Sequence, residues 1–398
     1  MQGEWFRGAK FGVFIHWGLF SIHGRCVWAA YSERMPLAEY AKLAWQFDAS
    51  EYRPDEWVDL ALEAGAKYMV LCTRQHPGFS LFDSKVSNFS APKTAAKRDL
   101  VAEYVNACRR KGMRIGFYYS LLDWRYPAYF HGPKSAGWSE FLAYVHAQVI
   151  ELCSNYGKID ILWFDGAWPW TAEDWRSAEL NAQVRALQPD IITNDRSLLP
   201  GDFSTPEQEI GVRRADARMW ETCMTMNAHW GYSPGDCNWK STRQLIQTLV
   251  TCACRGGNLL LNVGPTPEGA FPPEAIERLK EIGGWMSVNG ESVYEVKPFG
   301  ENPPPFQLYL IGVVGCRGST AYFHVLSWPG TRLTTASIRN RVISARMLAT
   351  GAKVRCVQEG DWTHLVDLPA TAPDPYDTVI TLELEGQPEG IPEFRPMP

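Results

Sequence analysis

A carboxylate set among aromatic residues closes the segment Ile161-Leu162-Trp163-Phe164-Asp165-Gly166, and it belongs to a series. His16 and Trp17 follow the apolar run from Phe11, and Arg74, Gln75 and His76 follow the run from Lys67. Tyr118, Tyr119 and Ser120 end the run from Arg114, with Asp123 and Trp124 just beyond. Asn194, Asp195 and Arg196 end the run from Asp190, and Glu207 lies in the next loop. Trp220 and Glu221 belong to a further run, ahead of His229, Trp230, Gly231 and Tyr232. A single polar residue after an apolar run is an ordinary helix cap or loop anchor. Six runs in succession ending in His, Tyr, Trp, Asp, Arg or Glu suggest a shared site. Carboxylates among Trp and Tyr suit glycoside hydrolysis. One carboxylate attacks or stabilises the sugar cation, and one carboxylic acid protonates the leaving oxygen. Aromatic walls desolvate the acid and hold the sugar ring.

Other chemistries lack their residues. The chain has no H-x-H, H-E-x-x-H or C-x-x-C spacing for a metal, no G-x-S-x-G, no P-loop and no early G-x-G-x-x-G. No metal and no cofactor is expected.

The elements that would position these residues alternate in type. Candidate strands are 11–17, 67–73, 114–120, 160–166, 190–195, 218–224 and 258–264. Between them lie amphipathic stretches. Residues 54–64 put Trp57, Leu60, Ala61 and Ala64 on one face behind Pro54 and Asp55; 241–253 put Leu245, Ile246, Leu249, Val250 and Ala253 on one stripe; 272–289 end at Asn289-Gly290. Continuous apolar strands alternating with helices indicate a parallel sheet covered by helices. Seven or so strands over nearly 300 residues fit a (β/α)8-like barrel, with the site at the carboxyl ends of its strands. KPFGENPPPF (297–306) is a Pro-rich break. Beyond it the pattern turns to period two: Ile380, Leu382 and Leu384 alternate with Thr381, Glu383 and Glu385, and 306–314, 320–328 and 353–359 also read as strands. The expected organisation is a (β/α)8-like catalytic domain over 1–297 and a small C-terminal β-sandwich over 298–398.

Composition limits the partners. The chain of 398 residues has a formal net charge of -5 and no block of like charges, so no nucleic-acid or anionic-membrane surface is expected. No run reaches membrane-spanning length, and the first residues lack the apolar core of a signal peptide. Ten scattered cysteines, several inside apolar runs, suit a reducing compartment, and the expected location is cytoplasmic. Seventeen Trp, sixteen Tyr and eighteen Phe fit either a large core or sugar-binding surfaces. Oligomeric state is not fixed by any of these features, and a homo-oligomer stays open.

The blocks F-I-H-W-G (14–18), G-F-Y-Y-S (116–120), L-W-F-D-G (162–166), D-F-S-T-P-E (202–207), W-E-T-C (220–223) and G-G-N-L-L-L-N-V-G-P (256–265) resemble, in order and spacing, the α-L-fucosidases of glycoside hydrolase family 29. The resemblance covers roughly residues 4 to 300. It implies a barrel followed by a β-sandwich and a retaining double displacement on fucosylated oligosaccharides or glycoconjugates. It carries the nucleophile to Asp165 and the acid/base to Glu207, with Glu221 as rival. It carries sugar contacts to His16, His76, Tyr119, Trp163 and Arg196 and an aromatic wall to Trp230. Two stretches depart from the pattern. Where many relatives have H-H-D-G-F, this chain has Gln75-His76-Pro77-Gly78-Phe79, so Gln75 stands at a sugar-contact position with an amide that cannot charge. Residues 26–40 match poorly, and only Trp28 or Tyr31 is expected to line the site. A related glycosidase specificity, or an inactive glycan-binding protein, remains the alternative reading.

Overall fold

The computed structural model describes residues 3–211, 218–300, 311–336 and 338–390. Eight parallel strands form the first unit: β1 (Phe11–Ile15), β2 (Tyr68–Arg74), β3 (Arg114–Ser120), β4 (Ile161–Asp165), β5 (Ile192–Thr193), β6 (Phe203–Ser204), β7 (Met219–Thr225) and β8 (Asn258–Val263). Their order is β5-β4-β3-β2-β1-β8-β7-β6. The remaining seam, between β5 and β6, is joined by a parallel bridge from Asn194 to Phe203, so the sheet curls into a (β/α)8-like barrel. The seven strands expected from sequence are all present. β6 is the addition, and its two residues sit inside the D-F-S-T-P-E block.

Helices cover the barrel where the amphipathic stretches predict them, at Pro54–Glu63, Thr242–Cys254 and Pro273–Asn289, with others at Leu100–Lys111, Trp138–Asn155 and Ser177–Leu187. Their ends are set locally. Asp99 caps Leu100–Lys111 by accepting from Ala102 N at 2.8 Å, and Ser241 forms a capping box with Gln244. Such caps contribute about 1 kcal/mol each.

Strand side chains alternate between two layers, and this alternation decides which residues can meet a ligand. Phe14, Val70, Cys72, Tyr118, Trp163, Cys223 and Leu260 point into the barrel, with Phe6 and Phe203 among them. Val13, Ile15, Leu71, Phe117, Tyr119, Leu162, Phe164 and Leu261 point outward and pack in the core shared with the helices.

A C-terminal β-sandwich follows. Its strands are β9 (Lys297–Pro298), β10 (Gly312–Arg317), β11 (Thr320–Val325), β12 (Arg332–Thr335), β13 (Val342–Met347), β14 (Lys353–Glu359), β15 (Trp362–Val366) and β16 (Thr378–Leu384). They pair antiparallel in the order β12-β15-β14-β13-β16-β11-β10-β9 around Val314, Phe323, Leu333, Leu365, Ile380 and Leu382. Residues 301–310, which hold most of the Pro-rich break and the start of the strand expected at 306–314, lie outside the described residues. The sandwich docks on two barrel helices. Gln247 donates to Leu326 O and Tyr376 O, and the Trp285 indole donates to Asp377 O.

Candidate active site

A cavity of about 240 Å³ opens at the carboxyl ends of the barrel strands. His16 enters it after β1, Gln75 and His76 after β2, Tyr118 from β3, Asp165 from the end of β4, Arg196 after β5, Glu207 after β6, Cys223 from β7 and Trp230 from the loop beyond β7. Trp163 and Phe14 form its floor, and Val27, Trp28 and Trp168 line it from loops.

Asp165 is the carboxylate at the base, 7% exposed. Its Oδ2 accepts from the Tyr118 hydroxyl at 2.7 Å and its Oδ1 accepts from Arg196 Nη1 at 3.2 Å. Both oxygens are therefore held in fixed directions while the group stays open to the cavity. The next residue has to be glycine. Gly166 has φ of 72°, and a Cβ there would stand 2.8 Å from Leu122 Cβ and from Ser120 Oγ.

The two histidines act as neutral rings. Burial lowers His16 to about 4, outweighing the bond to Asn262 and the charge of Asp165, and burial likewise lowers His76 to about 4 despite Asp165. The 3.9 Å approach of His76 Nε2 to Asp165 Oδ2 is accordingly not an ion pair at neutral pH. Hydrogen-bond donors and acceptors assign the tautomers. Asn262 Nδ2 donates to Trp230 O at 2.6 Å, so its Oδ1 accepts from His16 Nδ1 at 2.7 Å. Ser120 Oγ donates to Leu122 O at 2.9 Å and so accepts from His76 Nδ1 at 2.7 Å. Each ring keeps Nε2 as an acceptor for a sugar hydroxyl. Gln75 is complementary: its carbonyl accepts the His76 backbone N–H, leaving the amide NH2 as a donor.

Arg196 connects the carboxylates. Its Nη2 bonds Glu207 Oε2 at 2.8 Å while Nη1 bonds Asp165, and its Nε donates to Thr205 Oγ1 at 2.9 Å. Burial opposes the charge, but Asp165 and Glu207 outweigh burial and keep the guanidinium protonated. The guanidinium also lies 4.7 Å from the Trp163 ring centre. Glu207 is half-exposed at the cavity mouth, a position from which a carboxyl can reach a leaving group and water.

Of the sequence-derived residues, His16, Gln75, His76, Trp163, Asp165, Arg196, Glu207 and Trp230 line one cavity. Tyr119 does not. It points outward from β3, fully buried, with its hydroxyl on Gln148 at 3.0 Å and its ring under Arg74. Alternation puts its neighbour Tyr118 inside, so the tyrosine at the cavity is Tyr118. Of Trp28 and Tyr31, Trp28 lines the cavity, and Tyr31 packs against it from outside at 5.8 Å. Glu221 lies on β7, two residues before Cys223, below the cavity. It is fully buried, accepts from the Trp163 indole at 3.1 Å and from the Tyr68 hydroxyl, and is raised to about 7 by burial against those two bonds. Trp168 and Asn262 were missed because neither a βα loop nor the inner face of β8 is singled out by residue type alone.

A family model described as Alpha-L-fucosidase matches residues 1–291. The chain belongs to the α-L-fucosidase family. Human tissue alpha-L-fucosidase is 31% identical over 96% of this chain and 89% of its own length. Alpha-L-fucosidase isoenzyme 1 from Paenibacillus thiaminolyticus superposes with a TM-score of 0.90 at 36% identity, covering 97% of this chain and 99% of that one. A GH29 α-L-fucosidase from Bacteroides thetaiotaomicron, solved as a covalent intermediate trapped with 2-fluoro-fucosyl fluoride, superposes with a TM-score of 0.87 at 28% identity, covering 96% of this chain and 95% of that one.

Proposed function

We propose that Asp165 and Glu207 carry out the two steps of fucosyl transfer to water in this enzyme. The chain is a retaining α-L-fucosidase, and the reading below assigns its steps to side chains. Asp165 attacks the anomeric carbon and forms a β-linked fucosyl ester as the glycosidic bond breaks. Glu207 gives its proton to the departing oxygen, then takes one from the water that cleaves the ester. His16, His76, Gln75 and Arg196 hold the ring hydroxyls, and their bonds strengthen as positive charge grows on the ring. Trp230, packed on His16 at 5.1 Å, offers an apolar face to the 6-methyl group.

The observation that supports this reading best is Arg196, whose one guanidinium bonds both carboxylates. It links the two carboxylates, Asp165 enclosed and Glu207 open, as a nucleophile and an acid/base would need. Substrates would be fucosylated oligosaccharides or glycoconjugates. The ten cysteines are all free, which supports the reading of a cytoplasmic enzyme. The test is hydrolysis of an aryl α-L-fucoside followed by NMR. The first-formed sugar should be α-L-fucose; β-L-fucose formed first would reject the double displacement.

A further inference from the structure

We infer that the enzyme holds the sugar next to fucose, in the leaving part of the substrate, on an aromatic ledge made by Tyr31, Phe130 and Trp168. The inference rests on the fucosidase reading above and adds a second saccharide site to it.

Among the described residues the exposed large aromatic side chains are Tyr31, Trp45, Phe130, Trp168 and Trp362. Three of these five, at 50%, 46% and 43% exposure, lie in or next to the cavity wall: Trp168 lines the cavity, Tyr31 packs on its Trp28 wall, and Phe130 lies parallel to Tyr31. They come from different βα loops, after β1, β3 and β4, so local sequence does not explain their meeting. Two of them are braced by a buried ring and the third by a hydrogen bond to its backbone. Tyr31 stacks on Trp124 at 5.4 Å and Phe130 packs edgewise on Tyr129 at 5.2 Å. The Tyr129 hydroxyl donates to the Trp168 carbonyl, tying two of the loops together. Tyr31 and Phe130 lie parallel within 6° at 6.3 Å. Solvent-facing rings held this way expose apolar surface at a cost, and a cluster of them marks a binding surface.

Continuity with the catalytic cavity identifies the occupant. Trp168 lines the cavity and is also part of the ledge, with its ring centre 5.9 Å from that of His76 and the two rings near perpendicular. Trp28 lines the cavity at 4.9 Å from His76 and touches Tyr31 at 5.8 Å. The aromatic surface thus runs from a sugar-hydroxyl ligand outward past the rim in strides on the scale of one sugar ring. On this inference a group bonded to the anomeric oxygen of a bound fucose crosses this rim as it leaves the cavity. The C–H faces of a pyranose match aromatic faces, which favours a saccharide there.

The test compares two substrates that share the fucosyl half. α-L-Fucosyl fluoride has a one-atom leaving group and cannot reach the ledge, whereas an α-L-fucosyl disaccharide can. The reporter is whichever disaccharide the unaltered enzyme cleaves fastest from a linkage panel. In the double variant Tyr31→Ala/Phe130→Ala, kcat/KM for the disaccharide should fall on the order of tenfold through KM, as loss of two aromatic contacts implies. Turnover of the fluoride should stay within about twofold of the unaltered enzyme. Tyr31→Phe, which keeps the ring, should retain the original ratio of the two rates. If the double variant does not fold, Phe130→Leu gives the same ratio test with a smaller expected loss. Equal changes on both substrates, or no change on either, overturn the ledge. So does a variant that alters only sedimentation, which would put a second copy of the chain on this surface. Cleavage of the fluoride with no disaccharide cleaved overturns the ledge and leaves the fucosidase reading standing. Cleavage of neither substrate by the unaltered enzyme overturns both.

Discussion

The indole N–H of Trp163 donates to the carboxylate of Glu221 at 3.1 Å, so the ring that floors the sugar cavity is hung from an acid buried beneath it. This separates the two glutamates as candidates for the acid/base. Glu221 supports the floor, and Glu207 stands half-exposed at the cavity mouth.

The first prediction follows from that separation. Glu207→Ala should reduce cleavage of fucosyl-oligosaccharides by about 10²–10⁴, the loss expected without general acid help. Aryl fucosides with acidic leaving groups should still form the ester rapidly, then stall for lack of the base and show a burst. Glu221→Ala leaves the Trp163 and Tyr68 donors unpaired in the core and should lower both substrate types together. Leaving-group dependence in Glu221→Ala and not in Glu207→Ala would exchange the roles.

Much of this arrangement was legible in the sequence. Long apolar strands and capped amphipathic helices gave the barrel, and strand-end polarity gave most of the cavity. What escaped has physical causes. β6 spans only Phe203–Ser204, too short for any periodic signal. Tyr118 and Tyr119 are the same residue type, and only knowing which face of β3 is interior separates them. Applied along β4, that parity puts Trp163 and Asp165 inside together. Along β7 it puts Glu221 inside as well, but one step below Cys223. Trp168 sits on a βα loop, whose course depends on tertiary contacts.

A second prediction tests that parity. Tyr118→Phe removes the 2.7 Å bond to Asp165 Oδ2 while keeping the ring packed on Trp163 at 5.7 Å. A bond to a charged acceptor is worth about 1.5–3 kcal/mol, so kcat should fall by roughly 10- to 100-fold. Tyr119→Phe should leave KM for fucosides unchanged and show its effect in thermal stability. The opposite pattern would return Tyr119 to the sugar site.

A third prediction concerns pH and stability, with buried groups of opposite sign. His76 is lowered from 6.5 to about 4, so its neutral form contributes stability that is full above pH 6.5 and is lost as pH falls towards about 4. At pH 4.5 the loss for this one residue is ~2–3 kcal/mol. Denaturant titrations at pH 7 and 4.5 should therefore show a smaller acid loss in His76→Gln than in the unaltered enzyme. Glu221 is raised from 4.5 to about 7, so its charged form costs stability that grows as pH rises from 4.5 to about 7. Glu221→Gln should gain relative stability between pH 5 and 8, and equal pH slopes would argue against a buried, largely unsolvated carboxyl.

The central assignment is the nucleophile, and azide rescue of Asp165→Gly tests it most directly. The substitution removes the attacking carboxylate and opens space on the same face of the sugar. The folded variant should have lost turnover of an activated aryl α-L-fucoside. Added azide should restore cleavage and yield β-L-fucosyl azide, the product of a single inversion. Near-normal hydrolysis by folded Asp165→Gly without azide, or an azide product of α configuration, would contradict the account.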